Sequence, residues 1–195
     1  MGLVSCAIPQ KYKLVQEKII TKSDVVTLEQ NDSAITYKMQ IFLFNKYFTG
    51  ILLDKKTDNT TTHLVFVTEI GMKMFELKLT PDSVKMVYCF NPLNQPKTVH
   101  LLEEEMGFLF LQKLQNHSAK IYENENKIYA VKNGKQKHFY YTKNNTVQKS
   151  LIKGKLFTKQ KAVYKYGFDN TVESVSLKHK GLLRLKIKLS RIKNE

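Results

Sequence analysis

The sequence predicts a mainly β fold: an antiparallel open or half barrel of about ten to twelve strands, with one long central helix on its concave face. Three observations carry this. Most of the chain falls into short segments of period two, separated by turn residues at intervals of about 8–12 residues. A single stretch near the middle, KTVHLLEEEMGFLFLQKLQN over residues 97 to 116, has the period of a helix instead. With 195 residues and 42% hydrophobic content, the chain can bury one core, and no run approaches the roughly 18 apolar residues of a membrane-crossing helix.

Residues 1–33 read as an N-terminal anchor and tether, and residues 34–195 as a single half-barrel domain. Within 7–33 the pattern is weak; some order, a strand or short helix, starts around Tyr12 and Leu14. From Ile35 the alternation is clean: Ile35, Tyr37, Met39, Ile41 and Leu43 take one face. After a turn at Asn45-Lys46, residues 47–55 form a second strand. Its Gly50 marks a bulge or a close backbone approach. Residues 63–70 are apolar on both faces, as a central strand would be, and end at Gly71. Residues 72–80 and 84–90 make a hairpin about Pro81-Asp82-Ser83.

In the helix, Val99, Leu102, Met106, Leu109, Phe110 and Leu114 recur at three- and four-residue steps. Glu103, Glu104 and Glu105 are expected on the other side. Leu101, Phe108 and Leu111 widen the apolar surface beyond a single contact, so the helix wants cover from a curved sheet. Beyond it, residues 120–122 and 127–132 lead to Asn133-Gly134, the strongest hairpin signal in the chain, expected to place both residues at positive φ. Strands follow at 136–142, 146–153, 162–168 and 172–180. A final strand over 183–190 is the cleanest: Leu183, Leu185, Ile187 and Leu189 alternate with Arg184, Lys186, Lys188 and Ser190.

The chemistry of catalysis is missing from this pattern. The histidines at 63, 100, 117, 138 and 179 form no HxH or HxxxH pair, and no P-loop, GxGxxG, GxSxG or HExxH is present. His100 and Glu104 are spaced i, i+4, as a solvated charged face would be. Glu69 and Glu76, about Gly71, are the carboxylate pair worth checking for facing geometry. No enzyme, cofactor or metal is expected. Cys89, in a strand, reads as a small buried hydrophobe.

The net charge is +15, but only two of 32 basic residues, Arg184 and Arg191, are arginines. Base readers and phosphate clamps lean on the arginine fork, so nucleic acid is not the expected partner. The lysines read as solvated outer faces of strands. Leu3-Val4-Ser5-Cys6 has the form of a lipobox, which implies a lipid anchor at Cys6, without the basic and apolar segments that precede one in a lipoprotein precursor.

This order of elements resembles the lipoprotein carrier and receptor proteins of the bacterial Lol pathway, LolA and LolB, over residues 34–190, with Cys6 matching the anchor of the receptor. Phe48-Thr49-Gly50-Ile51 and Thr68-Glu69-Ile70-Gly71-Met72-Lys73-Met74-Phe75 also look like segments of uncharacterised small lipoproteins of Gram-negative bacteria. The resemblance implies a curved, incomplete barrel of about eleven strands, with helices in its mouth. The expectation is a non-enzymatic, membrane-anchored lipoprotein on the periplasmic side of the outer membrane, monomeric, holding an acyl chain or lipoprotein between sheet and helix. The candidate cavity residues are Ile41, Leu43, Phe66, Phe75, Tyr88 and Phe90 from the sheet, with Leu102, Met106, Leu109 and Phe110 from the helix. Two other readings stay open: a soluble basic module binding nucleic acid or another polyanion, and a structural lipoprotein with no small ligand.

Overall fold

The computed structural model describes residues 8–21, 24–25, 34–58, 60–112, 114, 117–154, 158–168, 171–180 and 184–192. Among them, thirteen antiparallel strands form one open sheet. They are β1 (Lys13–Ile19), β2 (Ile35–Leu43), β3 (Lys46–Lys56), β4 (Thr62–Thr68), β5 (Lys73–Leu79), β6 (Val84–Cys89), β7 (Ser118–Glu123), β8 (Lys127–Asn133), β9 (Gln136–Lys143), β10 (Thr146–Lys153), β11 (Thr158–Tyr166), β12 (Val172–His179) and β13 (Leu185–Arg191). Their order is β1-β7-β8-β9-β10-β11-β12-β13-β2-β3-β4-β5-β6. Nearly every link is a hairpin, which fits the short polar turns between strands.

The order has one consequence for function. The chain leaves the sheet at the edge strand β6 and re-enters at β7, next to the opposite edge. The helix α1 (Pro96–Leu109) lies in that link and must cross the open side of the curved sheet. One apolar core fills the space between them. It includes Met39, Ile41, Leu52, Phe66, Leu77 and Ile187 from inward strand positions, with Leu102, Met106 and Leu109 from the helix. A smaller cluster sits on the outer face, where Ile8 and Tyr12 help cover Ile128 and Phe139.

Several local expectations change. The strand β1 takes up the order expected to start around Tyr12 and Leu14, within the weakly patterned segment 7–33. All seven of its residues are exposed, so it had no alternation to detect. The helix ends at Leu109, short of residue 116, and Leu111 at φ 56° turns the chain away. The turn of the β8–β9 hairpin sits one residue later than the Asn-Gly pair suggests. Asn133 pairs with Gln136 as the last rung, and of the pair only Gly134 takes positive φ, at 56°. A glycine first in a two-residue turn is the II′ arrangement. At Gly50 the ladder runs without a bulge, and a Cβ would lie 2.1 Å from the Val67 carbonyl oxygen. Close approach explains that glycine. A bulge does lie nearby in β5, where Met74 is the extra residue and both Met74 and Phe75 are buried.

Candidate functional site: the cleft between helix and sheet

The site begins with what α1 must satisfy to lie on a sheet. Its buried residues include Thr98, Leu101, Leu102, Glu105, Phe108 and Leu109. Glu105 stands in the middle of that stripe and is 0% exposed. A carboxylate there needs partners, and the sheet provides them. Its Oε1 accepts from Nε2 of Gln160 in β11 at 2.6 Å and lies 2.5 Å from Nδ1 of His179 in β12. Its Oε2 has no hydrogen-bond partner among the described residues. Burial pushes the Glu105 carboxyl above the usual carboxylate range. The hydrogen bond to Glu105 holds His179 above the ordinary histidine value.

Other polar contacts fasten the same helix. Glu103 accepts the backbone N–H of Met86 in edge strand β6 at 2.7 Å. Past the last helical turn, Gln112 Nε2 donates to the Thr80 carbonyl at 3.0 Å. Tyr164 in β11 donates its hydroxyl to the Leu109 carbonyl at 3.1 Å, which satisfies a helix-end acceptor. The helix is therefore latched to β6 on one side and to β11 and β12 on the other.

Between these latches a half-open cleft of about 290 Å³ remains. One wall is a stripe of α1: His100, Glu103, Glu104, Gly107 and Phe108. The other walls are the start of β6 about Val84 and Lys85, the tip of the β8–β9 hairpin, and His138, Ile152 and Gln160 from the sheet. Gly107 sets the width, since a Cβ there would sit 3.0 Å from the Val84 side chain. Phe108 meets the His138 ring edge to face, with centroids 6.3 Å apart. The inner lining is mixed, with Val84, Phe108 and Ile152 beside the buried His138 and Gln160, and Lys85, His100, Asp82 and Glu104 stand at the mouth.

The ten candidate cavity residues divide. Ile41, Leu43, Phe66, Phe75, Leu102, Met106 and Leu109 are together in the core beneath α1. Phe90 and Phe110 are half-buried against that core. Tyr88 is 41% exposed, and the Lys73 ammonium stands 5.0 Å from its ring centroid. None of the ten lines the cleft. The lipid-anchor candidate Cys6 lies outside the described residues. Cys89 is buried, and burial pushes its thiol up. Glu76 is taken up by His63 and Lys73, while Glu69 accepts from Thr49 at 3.3 Å. His100 and Glu104 form a solvent-facing pair at 3.5 Å. Among the described residues no group of three His, Cys, Asp or Glu could hold a metal ion, and no helix is long and apolar enough to cross a membrane.

A structure of a LolA superfamily protein from Nitrosomonas europaea superposes with a TM-score of 0.56 at 8% identity, over 88% of this chain and 89% of that one. The fold is LolA-like. A putative outer membrane lipoprotein-sorting protein domain from Vibrio parahaemolyticus aligns at 10% identity and TM-score 0.46, over 85% of this chain and 86% of its own. A DUF1329 family protein from Desulfovibrio piger aligns at 9% and 0.42, over 87% and 86%. No protein-family model and no curated protein matches the sequence. In this LolA-like frame the residues that latch α1, above all Glu105, escaped the sequence reading. The signal was present: Glu105 is four residues from Leu101 and Leu109 and three from Leu102 and Phe108, so it belongs to the buried stripe.

Proposed function

We propose that the protein is a non-enzymatic carrier that holds an apolar ligand, an acyl chain or the acyl part of a lipoprotein, between α1 and the concave face of the sheet. The observation that carries this is a helix with a wide apolar stripe held across an open LolA-like sheet, beside a cleft whose inner lining includes Val84, Phe108 and Ile152. A ligand enters past Phe108 and Ile152. It reaches the cluster of Ile41, Leu43, Phe66, Phe75, Leu102, Met106 and Leu109 only as α1 moves outward, because those side chains now fill the space. Phe90 and Phe110 flank that path, and Tyr88 stands at its outer edge. The latches at Glu103, Glu105 and Tyr164 set the cost of that movement.

The proposed setting is the periplasmic side of the outer membrane, with the chain a monomer anchored through a lipidated Cys6. The mature protein would then begin close to the segment, Ile8 to Tyr12, that packs on the sheet's outer face. The test is the mass of the protein and its cargo. Protein purified in native form from an envelope fraction is expected to carry lipid, released on denaturation at about one acyl ligand per chain, and a diacyl or triacyl adduct on Cys6. A chain that arrives empty from every membrane preparation and cannot be loaded with fatty acid contradicts the carrier reading. An unmodified Cys6 contradicts the anchor alone.

A further inference from the structure

We propose that the face of the sheet opposite α1 docks on an anionic lipid bilayer, through a lysine field on β11, β12, β13 and β2 and an apolar block beside it on β3 and β4. The proposal concerns the other face from the cleft and needs no ligand there.

The register builds the field. Lys161 on β11 stands directly opposite Lys178 on β12, and Lys178 directly opposite Lys186 on β13. Lys188 lies two residues along β13 on the same face. Lys165 and Lys38 close the next row, separated by Ser174 and Ser190. All six are exposed, across four neighbouring strands spaced about 4.8 Å apart. Among the described residues none of the six has an ion-pair partner. Glu173, at the bulge of β12, is the one acidic residue in the four strands. The neighbouring Lys149 is held below the ordinary lysine value by burial and by the charge of Lys161. Like charges directly opposite one another weaken a sheet. A face that serves solubility alone interleaves both signs.

The second observation chooses the partner. The lysine field runs into an exposed apolar block. Lys38 faces Ile51 on β3, Ile51 faces Val67 on β4, and Leu53 faces Val65. Ile51 is 41% exposed and Leu53 39%. Tyr47, also exposed, faces Phe42 beside Lys186. Aliphatic side chains offer nothing to a phosphodiester or a base, whereas the headgroup–acyl boundary takes lysines at the phosphates and aliphatic groups just below. A nucleic-acid face would call for arginine forks, and the chain has two arginines in all.

The test uses the full chain without lipid, carrying Cys6→Ser, and vesicles of phosphatidylcholine with or without phosphatidylglycerol. Co-sedimentation is expected with the anionic vesicles only, and it is expected to fall as salt rises. The triple variant K161Q/K178Q/K186Q weakens binding on the order of 100-fold, since each surface lysine adds about fivefold. I51S/L53S weakens the part of the binding that survives high salt. The control triple K97Q/K127Q/K135Q, equal in charge and off the field, binds as the parent does. Absence of binding to phosphatidylglycerol vesicles overturns the proposal. So does equal loss in both triples, which would make net charge the cause. Tighter binding to single-stranded DNA than to vesicles, lost with the same three lysines, overturns it in favour of a nucleic-acid face.

Discussion

Removing His179 from the latch gives the sharpest test of how α1 is held. In His179→Ala the Glu105 carboxylate stays fully buried and keeps only the Gln160 N–H as a donor. Breaking a buried pair by removing one partner costs about 3–5 kcal/mol. Because Gln160 remains and the carboxyl can take up a proton, the lower end applies, about 3 kcal/mol. For a chain of this length that is a fall in Tm of about 6–12 °C. Glu105→Gln keeps an oxygen for Gln160 and removes the buried charge, so it costs about 1 kcal/mol. With the charge gone, His179→Ala costs only about 1 kcal/mol more. The double variant is therefore expected near 2 kcal/mol, well short of the roughly 4 kcal/mol sum, a coupling of about 2 kcal/mol. Urea denaturation of the four proteins reads this directly. Additive losses would show that Glu105 and His179 do not act on each other and would refute the latch.

The same pair predicts a pH dependence. His179 and Glu105 are both held above their ordinary values in the fold, so the folded chain binds more protons than the unfolded one and stability falls as pH rises. The support from His179 is full below the unfolded value of about 6.5 and is lost as pH climbs through its raised value; the Tm gap between parent and His179→Ala should narrow over that range. Gly50→Ala drives a Cβ into the Val67 carbonyl at 2.1 Å, and should cost about 3 kcal/mol or more, seen as a lower urea midpoint. In a Cys6→Ser background Cys89, buried and with its thiol pushed up, should resist thiol reagents until denaturant is added; rapid labelling of the native protein would place β6 differently.

The strands were legible because a sheet with one buried face forces period two on its sequence. β2 and β13 show it most plainly, with Ile35 to Leu43 and Leu185 to Leu189 alternating in and out. Their pairing with each other was not legible, since alternation fixes a strand's face and says nothing of its neighbour. β1 was faint because an exposed edge strand has no buried side to mark it. The helix was found from its period, but three consecutive glutamates drew all of them to the solvent side. The wide apolar stripe in fact runs through Glu105. The rim of the cleft could not be read at all. His100, Lys85 and Gln136 look like any solvated polar residue until the β8–β9 hairpin and the start of β6 are folded against α1.

The measurement closest to the central claim is titration of the purified chain with a fluorescent fatty acid, in parallel with Gly107→Leu. A Cβ at Gly107 would already stand 3.0 Å from the Val84 side chain and 3.3 Å from that of Gln112. A leucine there narrows the entrance from the helix side and displaces Val84 at the margin of the core. The account predicts saturable binding of about one probe per chain, displaced by unlabelled acyl chains and lost in Gly107→Leu. Absence of saturable binding, or binding that survives the plug unchanged in a folded variant, would contradict it.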